Sequence, residues 1–234
     1  MNMKNQFYLK SFKNIATFFL AACAIVFLFA GCSKTEDPGP QQPSAAIALI
    51  QMADPLGASN QDAYINSYKV NSLPISYGTF LGYYAVAPGT TTVEFRNTGN
   101  SATTATTSFN TVVDKTYSII FGDNNSIVQV ADDSTLPQAG KARIRFLNLS
   151  SYLNSNVDFG GAGGNKVALN LPINTTSSYY EVDPAATTSI TVYPAGTSSA
   201  SVTTNVNLTS GHAYFYILSG TTSGSLKGLM LTEF

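Results

Sequence analysis

Among its 234 residues the chain has no tryptophan, one histidine (His212) and two cysteines (Cys23 and Cys32), and only 11% of its residues are charged. Each shortage removes a class of function. With one histidine and no cysteine after position 32, a zinc or copper centre lacks its ligands, and no metal or cofactor is expected. No disulfide can staple the region after Cys32, so a fold there must be held by its core alone, which its length allows. Twelve basic against 13 acidic residues, with no basic run, exclude the electrostatic footprint of nucleic-acid binding and the polybasic patch that grips anionic lipid. After the first thirty positions no apolar period of helical type persists over ten residues, and abundant Thr, Ser and Gly weigh against one.

The first fourteen residues carry Lys4, Lys10 and Lys13 and no acid, and Ile15 to Ala30 is an uncharged, almost wholly apolar run. Sixteen residues fall short of the roughly 20 that cross a bilayer as a helix, which makes an uncleaved span the weaker alternative. The run closes on Leu28-Phe29-Ala30-Gly31-Cys32. A basic start, a short apolar stretch and a cysteine after two small residues resemble a bacterial lipoprotein signal peptide of residues 1–31. The resemblance implies cleavage between Gly31 and Cys32, a diacylglycerol and palmitate anchor on the Cys32 sulfur, and the lipid bilayer as partner. Removal of residues 1–31 leaves 203 residues and takes three lysines, so 12 minus 3 gives 9 basic against 13 acidic residues, a formal charge of -4.

Residues 32–44 then read as the lipidated cysteine and a flexible tether, with Pro38, Pro40 and Pro43 and no large apolar side chain to offset ordering entropy. Within it, Ser33-Lys34-Thr35-Glu36-Asp37 resembles the Lys-plus-acid signal that sends Bacteroidota lipoproteins to the outer face of the outer membrane. A merely solvated linker is the other reading. The expected location is the outer membrane, lipid-anchored, with exposure at the cell surface or in the periplasm left open.

Past the tether, landmarks recur at a nearly fixed distance, the mark of a duplicated unit. Ile47-Ala48-Leu49-Ile50 matches Ile144-Arg145-Phe146-Leu147 at a shift of 97, Lys69-Val70 matches Lys166-Val167, and Tyr117 matches Tyr214. Leu73-Pro74-Ile75 matches Leu171-Pro172-Ile173 at 98. Each unit reads as short strands separated by Gly, Pro, Asn, Asp and Ser clusters. Ala213 to Gly220 is apolar on both faces and is expected as a central strand, with Tyr117 to Phe121 its counterpart. The fold class expected is all-β, with two tandem immunoglobulin-like antiparallel β-sandwich domains, residues 45–138 and 139–234, after the lipoprotein signal peptide. The polar segment Asp132 to Gly140 joins them and would let them sit end to end or hinge.

The second unit opens Ala142-Arg143-Ile144-Arg145-Phe146-Leu147-Asn148-Leu149-Ser150 and continues through Val157-Asp158-Phe159 and Tyr180-Glu181-Val182-Asp183-Pro184. The first has Asp62-Ala63-Tyr64-Ile65-Asn66, then Tyr84-Ala85-Val86-Ala87-Pro88-Gly89. These segments resemble the family called domain of unknown function 4397, in tandem copies. That resemblance implies a β-sandwich and an envelope location and supplies no catalytic residue.

Candidate chemistry is sparse. A Ser/His/Asp triad would have to use His212, but no nucleophile elbow accompanies it and Lys115 stands at its place in the first unit, so no enzyme is expected. Calcium could draw on Asp132 and Asp133, on Asp123 with Asn124 and Asn125, or on Asp54, yet no loop has EF-hand spacing and turn chemistry explains the same residues. Gly160 to Gly164 lacks the helix and Lys-Ser/Thr pair of a phosphate loop and reads as a hairpin turn. Asp62 and Asp158 stand at equivalent places, which suggests a repeated backbone contact. Tyr83, Tyr84, Tyr179 and Tyr180 are candidates for stacking on a glycan, with use in the core as the alternative. Asp133-Ser134-Thr135 resembles the bacterial O-glycosylation acceptor, with Ser134 as the modified residue. The expected role is a non-catalytic cell-envelope or cell-surface binding or structural module, its partner another envelope protein or a glycan; the alternatives are a glycan-binding accessory lipoprotein or a pilus or adhesin subunit.

Overall fold

Runs rich in Val, Ile, Thr, Tyr and Phe, punctuated by Gly, Asn and Asp, form strands throughout the computed structural model, which describes residues 44–54, 56, 59–161 and 165–233. The first eight are β1 (Ala45–Gln51), β2 (Gln61–Ile65), β3 (Tyr68–Lys69), β4 (Phe80–Val86), β5 (Gly89–Asn97), β6 (Thr103–Thr111), β7 (Thr116–Phe121) and β8 (Ile127–Ala131). They form two sheets, ordered β4-β1-β7-β8 and β3-β2-β5-β6. Nine more follow: β9 (Ala142–Asn148), β10 (Val157–Gly160), β11 (Lys166–Leu171), β12 (Thr175–Thr176), β13 (Tyr180–Val182), β14 (Ser189–Pro194), β15 (Val202–Asn205), β16 (Ala213–Ser219) and β17 (Lys227–Thr232). Their sheets repeat the same plan, β12-β9-β16-β17 with β13 also on β9, and β11-β10-β14-β15. Among the described residues there is no α-helix; one short 3-10 turn spans Asp123–Asn125.

Each half is therefore a β-sandwich, and its pairing is antiparallel with one exception. β1 runs parallel to β7, and β9 parallel to β16. A parallel pair cannot be joined by a tight turn. Between its two members the chain crosses to the other sheet and returns, which closes each sandwich.

Alternation sorts the side chains into three cores. Ile47, Leu49, Phe95, Ile119 and Phe121 fill the first sandwich, and Ile144, Phe146, Phe159, Val192 and Tyr216 fill the second. The third core lies on the other face of the same strands: Ile50, Ile120, Val128 and Val130 from one sandwich meet Leu147, Phe215 and Ile217 from the other. The β4-β1-β7-β8 sheet thus packs against the β12-β9-β16-β17 sheet, and their central strands β1, β7, β9 and β16 are buried on two faces. Every residue of β9 and of β16 is buried. Each large apolar side chain in this seam contributes about 1.5–3 kcal/mol. That is far more than a hinge could tolerate losing, so the expectation of end-to-end or hinged sandwiches is not met. The two-faced apolarity of Ala213 to Gly220 marks a central strand, and its second face serves the seam.

Local contacts recur between the halves. The Tyr117 hydroxyl accepts the N–H of Val112 at 3.3 Å, and the Tyr214 hydroxyl accepts that of Thr209 at 2.8 Å. Gln51 Oε1 accepts the N–H of Ala53, as Asn148 Oδ1 accepts that of Ser150. Asp62 pairs with Lys69 at 2.9 Å and Asp158 with Lys166 at 2.7 Å. Asp158 also accepts the N–H groups of Asn170 and Gly196. One landmark repeats in letters but not in role. Ile75 is buried and bridges to Gln61, whereas in the second half Leu171 is the buried residue, paired with Val157; Leu73 and Ile173 are exposed. The three-letter match is thus displaced by two residues from the structural one.

Candidate functional site

Because β7 and β8 run antiparallel, the residues following them lie at opposite ends of the seam. Polar side chains gather at both ends.

At the end following β8, the seam face of β9 carries Arg143 and Arg145. Arg145 is 2% exposed, bonds Asp132 at 2.7 Å and Glu233, and lies 4.1 Å over the Phe215 ring. Arg143 bonds Asp133 at 2.7 Å and the carbonyl of Thr135, and covers the ring of Tyr179 at 4.1 Å. Two tyrosines complete the network: Tyr83 donates to Asp132 at 3.0 Å, and Tyr179 to Glu233 at 2.7 Å. Burial pushes the Glu233 carboxyl up, with Arg145 opposing it. The Arg143 bond first, then those of Thr135, holds Asp133 well below the usual carboxylate range. Every charge here has a partner, so the network is a clamp between the sandwiches.

At the other end, a cleft of about 300 Å³ opens beside the turn after β7, lined among others by Asp54, Gln61, Asn97, Asp123, Asn124 and Asn125. Asp123 Oδ1 accepts the N–H of Asp54 at 2.7 Å, while Oδ2 accepts the N–H of Gly220 from the second sandwich at 2.6 Å. Asp54 Oδ2 accepts the Thr221 hydroxyl at 2.5 Å. Burial raises the Asp123 carboxyl above its ordinary range against its backbone donors, and the neighbouring Asp54 charge adds to the rise. The amide of Gln61 donates to Ser59 and to Asn97, and its Oε1 has no partner. A wider, open hollow of about 530 Å³ beside Asp158, Lys166 and Asn170 holds the salt bridge already described.

The four tyrosines do not share a platform. Tyr83, 45% exposed, meets Phe80 edge to face at 5.9 Å; Tyr84 donates to the Val70 carbonyl and packs on the first core. Tyr179 lies beneath Arg143, and Tyr180 packs on the second core near Phe146. Tyr83 and Tyr179 do converge, through their hydroxyls, on the Arg145 network. Ser134 is exposed between Asp133 and Thr135, both held by Arg143. His212 is half-buried, 3.2 Å from the Ser210 carbonyl and beside Tyr214. Gly31, Cys32, the signal segment and the tether up to Pro43 lie outside the described residues, as do Ala162 to Gly164 of the glycine-rich turn. Among the described residues no three His, Cys, Asp or Glu side chains converge as a metal site.

Sequence reasoning missed the Arg145 clamp. Its signal was present: two arginines alternating on an otherwise apolar strand demand buried acids, though nothing local names Asp132 or Glu233.

The fold and its seam define the chain as an all-β double sandwich. The family model described as Domain of unknown function (DUF4397) matches residues 49–159, which run from β1 through β10. No curated protein sequence matches the chain. Solved structures with some likeness include carbohydrate-binding modules and a multi-modular glycogen-degrading pneumococcal virulence factor. One, described as α-glucan binding by a streptococcal virulence factor, is 15% identical, with 63% of this chain and 78% of that one covered, at a TM-score of 0.27. A family 26 carbohydrate-binding module from Eubacterium rectale Amy13K, in complex with maltoheptaose, is 12% identical over 82% of this chain and 97% of its own, at a TM-score of 0.27. Likeness at that level carries no ligand across to this chain.

Proposed function

We propose that the chain is an outer-membrane lipoprotein, cleaved between Gly31 and Cys32 and anchored by lipid on Cys32, that holds two copies of one duplicated β-sandwich unit at the cell envelope as a non-catalytic binding or structural module. The anchoring part rests on the sequence pattern of residues 1–44. The observation that supports the module part is the seam: two sandwiches locked sheet to sheet and clamped by Arg145 present fixed surfaces, as a scaffold for a partner needs. Detergent partitioning of washed cells tests the anchor. Wild type enters the detergent phase and Cys32→Ser the aqueous phase; a serine variant that stays with the membrane defeats the reading. Crosslinking in cells tests the module, which should yield a self-associated species or one stable envelope partner.

A glycan-binding role is the second reading, favoured by the exposed aromatic pair Phe80 and Tyr83 on the edge strand β4. It predicts glycan-array binding that Tyr83→Ala or Phe80→Ala removes. Binding that ignores both substitutions would place any sugar elsewhere.

A further inference from the structure

We propose that β6, at the free edge of the β3-β2-β5-β6 sheet, pairs antiparallel with β6 of a second copy of the chain and joins the two molecules through one continuous sheet. The proposal rests on the module reading and names the partner which that reading leaves open.

Three observations carry it. The first is length and composition. β6 has nine residues, Thr-Thr-Ala-Thr-Thr-Ser-Phe-Asn-Thr, with no charge and no proline. Sheets ordinarily guard an edge by keeping it short or by placing lysine, proline or a bulge on it. The other edges follow that rule: β3, β12, β13 and β15 have two to four residues, β11 and β17 carry Lys166 and Lys227, β8 runs into Asp132 and Asp133, and β4 is interrupted by a bulge opposite Ala48 and Leu49. β15 is the counterpart of β6, so the duplicated unit keeps its long open edge in the first sandwich alone.

The second is the direction of the backbone groups. Asn66, at the end of β2, donates its N–H to the Thr92 carbonyl at 2.8 Å, so the even-numbered residues of β5 turn their backbone groups to β2, and Val93 and Phe95 turn theirs to β6. Those two oppose Thr107 and Ala105. Thr106 and Ser108 therefore aim their N–H and C=O groups out of the sheet, where nothing among the described residues bonds them.

The third is register. About a two-fold axis at Thr107, Thr106 meets Ser108 of the second copy, and Ser108 meets its Thr106, each pair exchanging both ladder bonds. On the core side Ala105 then faces Phe109 of the second copy, small against large, twice over. Centring the axis one residue away sets Phe109 against a threonine instead. No charge on either strand repels its copy. Because such a contact uses the edge of both partners, assembly stops at a dimer.

The test uses the full-length chain in excess detergent. Sedimentation velocity should show a dimer. Thr106→Lys with Ser108→Lys, at two exposed positions, sets like charges directly opposite one another and should return the mass to that of a monomer while the circular dichroism spectrum stays that of the wild type. Thr107→Cys places two thiols in a pair without ladder bonds, within reach of a disulfide, and mild oxidation should link it into a dimer. Thr203→Cys on β15 should not link. A monomeric wild type, a dimer that survives the lysine variant, or Thr107→Cys linking no faster than Thr203→Cys overturns the proposal. Capture of another envelope protein at Thr107→Cys in cells overturns it too but leaves the module reading standing, whereas a chain that captures neither a copy nor any other protein ends both.

Discussion

The carboxylate of Asp123 accepts the backbone N–H of Gly220 at 2.6 Å, and the two residues follow β7 and β16, the matching strands of the two sandwiches. A residue of one half thus anchors the chain at the corresponding place in the other. Asp123→Ala should cost about 2 kcal/mol, because the N–H groups of Asp54 and Gly220 lose their acceptor. Urea unfolding should remain a single transition, since the apolar seam persists.

Arg145 should be the more damaging deletion. Removing one member of a buried ion pair strands its partners, at a cost of about 3–5 kcal/mol. Arg145→Met leaves Glu233 facing only Tyr179, and Asp132 facing Ser118 and Tyr83. Adding Glu233→Gln should recover part of the loss. A double-mutant cycle on urea midpoints checks it, and strictly additive costs would mean that the pair is not coupled.

Acid stability should depend on the repeated Asp–Lys pair. Burial works to raise the carboxyls of Asp62 and Asp158, but bonds from Lys69 and Asn71, and from Lys166 and two backbone N–H groups, outweigh it and hold both below their ordinary value. A depressed carboxyl binds its proton less tightly folded than unfolded. Its stabilisation is therefore complete above the unfolded value of about 3.9 and fades as the pH falls below it. Asp62→Asn with Asp158→Asn should flatten that acid limb in Tm measurements between about pH 5 and pH 2.

Gly228 is fixed by packing. A Cβ there would overlap the hydroxyl of Tyr216, a buried side chain bonded to Thr204 at 2.9 Å. Gly228→Ala should cost about 1–3 kcal/mol by overpacking, read from chemical unfolding.

Much of the strand pattern was legible because alternation is local. The strand expected at Tyr117 to Phe121 runs from Thr116 to Phe121, and the apolar faces of Ala213 to Gly220 announced a strand buried on both sides. What such a strand is buried against is not local information. The same pattern serves the middle of one sandwich or, as here, the boundary between two. The cleft escaped for a related reason: Asp54 and Asp123 meet across 69 positions, and each alone reads as a turn residue. Tyr179 looked like a surface aromatic until Arg143 covered it, since a cation over a ring leaves no trace in spacing.

β1, the first strand of the described region, lies inside its sheet, hydrogen-bonded to β4 on one side and β7 on the other. Mechanical load entering from the chain before Ala45 therefore meets two ladders at once. A pull along the strand shears both sets of rungs together, where an edge strand would peel open rung by rung. Tension arriving at Ala45 is thus borne by the rungs to β4 and to β7 together.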